Sequence, residues 1–250
     1  MNTLVPLVTK EFMEDLMATR GSIFLLIACV VLSVFSVLLV SNTELSLLDN
    51  AQAVYMMSGI IIALACLVAV IRGSDGFAGE RERDTLEPLM LTPITGQRLA
   101  LAKLIGILFS WLILFGLSIP YLWAVGSMGQ NLLPTIQYLF ITGTLMVLSF
   151  GGMALAFSAK ARSFKSALSI GLTLFLLAGS PVILGPSLRQ SAVGRAIDLL
   201  NPFAGALSTL DSVIIDSQGL LFQLLRLAIM LSYSLIILVI LQSVTRRVEL

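Results

Sequence analysis

Long apolar runs separated by short charged clusters set the pattern of this chain. The first run is Gly21 to Val40 and the second is about Ala51 to Ile71. From Leu104 through Ser158 there is no charged residue. That stretch is long enough for two helices, broken at the turn-rich cluster Gly126-Ser127-Met128-Gly129-Gln130-Asn131 with Pro134 just after. The runs therefore predict spans at 21–40, 51–71, 104–125, 135–157, 166–184 and 227–244. About 20 apolar residues cross a bilayer as a helix. Irregular backbone is costly in lipid, so each span is expected to be α-helical.

Two amphipathic segments are not spans. Leu4, Val5, Val8, Phe12, Met13 and Leu16 share one arc at 100° per residue, with Lys10, Glu11 and Glu14 opposite. Residues 1–20 thus read as a helix lying on the membrane surface, either an anchor or a partner contact. The stretch 185–220 is too polar to span but carries Ala196-Ile197, Leu199-Leu200, Pro202-Phe203 and Val213-Ile214-Ile215. It is expected to form short helices at the outer leaflet, a plain exterior loop being the alternative.

Composition agrees. The 250 residues are 58% hydrophobic and 12% charged, with mean hydropathy +1.01, whereas soluble domains are about 25% charged. The expected class is an all-α polytopic membrane protein: six transmembrane helices (21–250) behind an N-terminal surface helix (1–20). Basic residues orient it. With six spans, Lys10, Arg20, Arg72, Arg81, Arg83, Arg98, Lys103, Lys160, Arg162, Lys165, Arg246 and Arg247 share one face, twelve of the fifteen. Only Arg189, Arg195 and Arg226 fall opposite, so both termini are expected in the cytoplasm of a cell-membrane protein.

Several chemistries drop out. A net charge of +1 with no basic stripe gives nucleic acid no footing. The chain has no histidine, which removes Ser-His-Asp catalysis and HExxH zinc sites. Cys29 and Cys66 stand inside apolar runs without metal spacing. No G-x-x-x-x-G-K-[ST] loop cradles a phosphate, so no enzyme activity and no cofactor is expected of this chain. The expected spans carry no fixed charge, which speaks against an ion-coupled relay. Ser110, Ser118, Thr142, Thr144 and Ser149 are expected to join helices more than to line a pathway.

The segment 73–98 between the second and third spans mixes dense alternating charge with Leu86, Leu89, Met90 and Leu91. Asp84-Thr85-Leu86-Glu87 has the form of a helix N-terminal cap. Pro88 disfavours helix at Glu87, and a short helix starting at Pro88 is equally allowed. Either way, an apolar knob with a charged rim suits protein docking; a merely solvated charged loop is the alternative.

The run Phe77-Ala78-Gly79-Glu80-Arg81-Glu82-Arg83-Asp84-Thr85-Leu86-Glu87-Pro88-Leu89-Met90-Leu91-Thr92-Pro93-Ile94, with Lys103 downstream, resembles the signature of ABC-2 type permeases, the type V exporter-like fold. Asp84 stands where that family usually has glycine, which is freer at positive φ. The resemblance implies a permease pairing with a copy or paralogue of itself in membrane lipid. ATP and magnesium would be bound by a separate ABC ATPase subunit beneath it, and the direction would be export; spans without fixed charge suit an amphipathic or lipid-like cargo. It also assigns ATPase coupling to Glu80, Arg81, Glu82, Thr85, Leu86, Glu87 and Leu89. Leu86 and Leu89 would be the buried contacts, while Glu82 and Glu87 would pair with the ATPase or brace the N-terminal helix. A docking scaffold without cargo and a stand-alone secondary transporter are the other readings.

Overall fold

A computed structural model describes residues 9, 19–41, 47–86, 95–127, 131–183, 194, 200–215 and 219–246. Among them are seven helices and no strand: α1 Thr19–Val40, α2 Leu47–Glu82, α3 Gly96–Gly126, α4 Leu132–Lys160, α5 Phe164–Ile183, α6 Pro202–Ile214 and α7 Leu220–Thr245. Five of them, α1–α4 and α7, are long and apolar enough to cross a membrane. α5 is a shorter apolar helix. Its 20 residues rise about 30 Å, the thickness of a hydrocarbon core. The surface helix expected over residues 1–20 lies outside the described residues apart from Thr9, Thr19 and Arg20.

Two expected boundaries move. α2 does not stop near Ile71. It continues to Glu82, 36 residues in all, or about 54 Å. A bilayer core cannot hold that length, so the stretch from Ser74 onward, with Asp75, Glu80, Arg81 and Glu82, extends past the hydrocarbon. Much of the expected loop 73–98 is therefore helix. α7 likewise begins at Leu220 instead of 227. This brings Gln223 and Arg226 inside it, both buried, so the last span is not free of fixed charge. Arg226 lies over the Phe222 ring, 5.3 Å from its centre, a stabilising arrangement for a cation beside an aromatic face.

α2 and α4 form the centre. They make the most extensive contact in the molecule, and its closest point needs glycine. A Cβ on Gly73 would lie 2.6 Å from the Gly151 carbonyl oxygen, so only a bare backbone lets the helices approach this far. The core around them includes Leu32, Met57, Ile61, Trp111, Leu139, Met146, Phe150, Leu210 and Met230. α4 is 67% buried over its most apolar window, but α1 and α7 only 17%. Those two are the outer helices, and Ile23, Leu26, Val30, Val37, Leu235, Ile236 and Val239 face outward, as lipid-facing positions should.

Within the expected outer segment, α6 is a 13-residue helix, about 20 Å long and too short to span. Most of its surface is buried, through Phe203, Ala206, Leu207, Leu210 and Ile214. Asparagines hold both ends. Asn201 Oδ1 accepts from the N–H groups of Phe203 and Ala204 at 2.8 and 3.2 Å, and its Nδ2 donates to the Ala178 carbonyl on α5 at 2.8 Å. Asn131 Nδ2, at the start of α4, donates to the Ile214 carbonyl at 3.1 Å. Helix-end groups that would otherwise stay unsatisfied are thereby paired.

The polar residues of the long helices divide. Ser110, Ser118 and Thr142 donate to carbonyls of their own helices. Ser149 and Ser234 join α4 to α7 by a 3.0 Å hydroxyl pair. Thr144 takes the indole N–H of Trp111 at 3.0 Å, joining α3 to α4.

Candidate coupling site at the end of α2

Consecutive residues of a helix project about 100° apart, so three in a row can address three neighbours. Glu80, Arg81 and Glu82 do so. Glu80 turns inward to α3, where its Oε1 accepts from Lys103 Nζ at 2.7 Å. Lys103 keeps 5% and Glu80 7% of their side-chain exposure. A charged pair this buried holds only because each ion compensates the other; removing either leaves a bare charge in a low-dielectric site.

Arg81 turns to the end of α4. Its guanidinium donates to the carbonyls of Ala161 and, at 3.3 Å, Ala159. These are among the last carbonyls of that helix, which lack intrahelical donors and carry the negative end of the dipole. Glu82 turns to the start of α5, where its Oε1 accepts from the Phe164 N–H at 3.0 Å. A carboxylate suits the positive end of a helix. Ser163 completes that cap by accepting from the Ser166 N–H at 3.2 Å. The Glu-Arg-Glu run is thus a clasp joining the tail of α2 to α3, α4 and α5.

One turn earlier, Ser158 of α4 reaches into α2. Its hydroxyl accepts from the N–H groups of Phe77 and Ala78 at 3.0 and 2.8 Å and donates to the Ser74 carbonyl at 2.7 Å. Ser74 is the ordinary ladder partner of the Ala78 N–H, so a side chain from another helix bridges the ladder of α2 here. Inserted groups of this kind mark bending points in helices.

Beyond the clasp α2 ends in a left-handed cap. The Thr85 N–H bonds the Glu80 carbonyl at 3.0 Å, and the Asp84 N–H bonds that of Arg81 at 3.2 Å. Asp84 has φ 55. This pair of bonds around a positive-φ residue is the Schellman arrangement. Its turning position normally takes glycine, and aspartate is among the few other residues that tolerate it. Asp84 therefore ends α2, and helix resumes at Leu86. Thr85 adds a 3.2 Å bond from its hydroxyl to the Glu80 carbonyl. Arg83 pairs with Asp75 along the outer face at 2.9 Å, both partly exposed.

The match to known families settles what this arrangement belongs to. A family model described as "ABC-2 family transporter protein" matches residues 6–247, nearly the whole chain. The chain is an ABC-2 family transporter protein. It is thus a membrane permease component of an ABC transporter. No curated protein matches it closely enough to be reported as a relative.

In this permease the motif residues meet one another. Glu80 and Lys103, opposite ends of the signature, are ion-paired, and the unusual Asp84 sits where a glycine would have been needed. Leu86 differs from expectation. It is 6% exposed, packed with Phe77, Leu99, Ala100, Leu104, Leu155 and Leu241, so its own chain covers it and it offers little to a partner. Likewise Glu82 engages α5 within the chain. Glu87 and Leu89 lie outside the described residues. Sequence reasoning missed Ser158 and the helix ends that receive Arg81 and Glu82. Their only sequence trace is the polar break Ala159-Lys160-Ala161-Arg162-Ser163 between two apolar runs.

Proposed function

We propose that this chain is the membrane half of an exporter driven by a separate ABC ATPase, and that the tail of α2 passes the ATPase stroke to the spans. The observation that carries this reading is the clasp. A push on the segment after Glu82 is delivered at once to α3 through Lys103, to α4 through Ala159 and Ala161, and to α5 through Phe164. Coupling is thereby divided within the motif. Glu80, Arg81, Glu82 and Thr85 transmit, Leu86 anchors the segment to the core, and Glu87 and Leu89 are left to meet the ATPase. The cargo is amphipathic or lipid-like, matching spans that expose aliphatic surface. α6, pinned at both ends, closes the far side. The termini are cytoplasmic in a cell membrane, α5 is the sixth span, and a second permease, copy or paralogue, completes the pathway.

The test is a mild-detergent pull-down of the tagged permease from its native cells, comparing wild type, Leu89→Asp and Glu82→Ala. Leu86 is left intact, since a carboxylate there would enter the core. Wild type should bring down a nucleotide-binding ATPase, Leu89→Asp should lose it, and Glu82→Ala should keep it. If no ATPase is recovered, or Leu89→Asp retains it fully, docking at this segment is wrong.

A further inference from the structure

Far from the clasp, a cavity of about 760 Å³ opens sideways between α1, α2 and α6. Ligand pockets run from roughly 300 to 1,000 Å³, so the space is of binding size. α1 contributes Phe35 and Leu38, and α2 contributes Met56, Gly59 and Ala63. Phe203 and Leu207 of α6 also line it. Among the described residues, no charged one lines it. Its side-chain hydroxyls among the described residues are those of Ser41, just past the end of α1, and Tyr55, near the start of α2. From Tyr55 to Ala63 the wall runs about 12 Å along α2. The slot is thus elongated and apolar, with hydroxyls near the terminal ends of the helices that form it. Its mouth, at Phe35, Leu38 and Met56, is 40%, 58% and 48% exposed on the side where α1 meets lipid.

We infer that this slot is a resident-lipid site, holding one acyl chain of a bilayer phospholipid with its headgroup end toward Ser41 and Tyr55. The shape and chemistry argue for a chain and against a second protein helix. Membrane helices pack closely where small residues let backbones approach; the small pair Gly59 and Ala63 is half-buried within the slot, and the exposed rim in front of it is built of Phe35, Leu38 and Met56. Methionine and long aliphatic side chains adapt to flexible partners. A hydrocarbon chain leaves no polar group unsatisfied in this wall. The inference needs only that the chain spans a membrane and does not depend on the cargo or on the ATPase.

The experiment uses the full-length permease in phosphatidylcholine nanodiscs containing a phospholipid with a diazirine in one acyl chain. After irradiation, labelled peptides are mapped by mass spectrometry. Labelling should saturate near one lipid per chain and fall on the peptides holding Phe35–Ser41 and Tyr55–Ala63. Ala63→Trp, which fills the slot, should cut it tenfold or more, and Met56→Trp should do the same at the mouth. Leu231→Trp, on exposed α7, should leave it unchanged. Elution at the wild-type position on gel filtration certifies each variant. Labelling that never saturates, or that spreads along α1 and α7 and ignores both slot variants, would overturn the site. So would preferential labelling by a free diazirine fatty acid, which would make the occupant a free amphiphile. A disulfide between two copies through Met56→Cys would equally overturn it, by placing a second permease there.

Discussion

At the scale of single residues, the end of α2 turns on two side chains. Asp84 sits at φ 55, a conformation that costs an ordinary L-residue roughly 1–2 kcal/mol and glycine almost nothing. Asp84→Gly should therefore keep or raise the thermal unfolding midpoint in detergent. Asp84→Val, β-branched and badly suited to this region, should lower stability by about 1–2 kcal/mol. Equal midpoints for the two would mean that the cap is not formed. Ser158 closes two N–H groups and a carbonyl of α2. Ser158→Ala leaves them buried without that partner and should cost about 1–3 kcal/mol, although it removes a single oxygen.

The interplay of whole elements decides the clasp. Glu80→Ala and Lys103→Ala should each destabilise by about 3–5 kcal/mol, because each strands the other's charge. Glu80→Leu with Lys103→Met removes both charges and should recover much of the loss. A double-mutant cycle on unfolding midpoints measures that coupling, and additive losses would show that the ions do not depend on each other. Such element-level facts were the part of the site least legible in the sequence. The apolar runs located the helices because a period and a length suffice for that. The order of the motif gave the family. But the charged segment from Gly73 onward read as a loop, and the packing of Gly73 and Gly76 against α4 leaves no local pattern. The partners of Glu80, Arg81 and Glu82 stand 23, about 80 and 82 positions away, and no local pattern encodes such a distance. The burial of Leu86 in its own chain was illegible for a related reason. An apolar residue beside charges looks the same whether its own chain or a partner covers it. Asp84 was read for its capping side chain, and its positive φ at the end of α2 leaves no trace in the sequence.

For the whole molecule, the question is how many times the chain crosses. Among the described residues five helices qualify by length and composition, and α5 is a shorter apolar one. If α5 also spans, Ser163 before α5 and Gly219 before α7 face opposite sides. With Cys29 and Cys66 replaced by alanine, Gly219→Cys should react with an impermeant maleimide in intact cells and Ser163→Cys only after permeabilisation. Reaction of both from the same side would break the six-span arrangement. The same preparation extends to transport. Arg81→Ala should leave the assembled complex intact while lowering cargo movement per ATP hydrolysed, since it releases α4 from the clasp. An unchanged ratio would take Arg81 out of the relay.

The hydroxyl of Ser158 has one more consequence. The amide protons of Phe77 and Ala78 are shielded by a group belonging to a different helix. They can meet solvent deuterium only when α4 withdraws from α2 or the local helix opens. Those two amides therefore act as a built-in clock. Their exchange rate, followed as nucleotide is added to the assembled transporter, would time how often these two central helices part during the cycle.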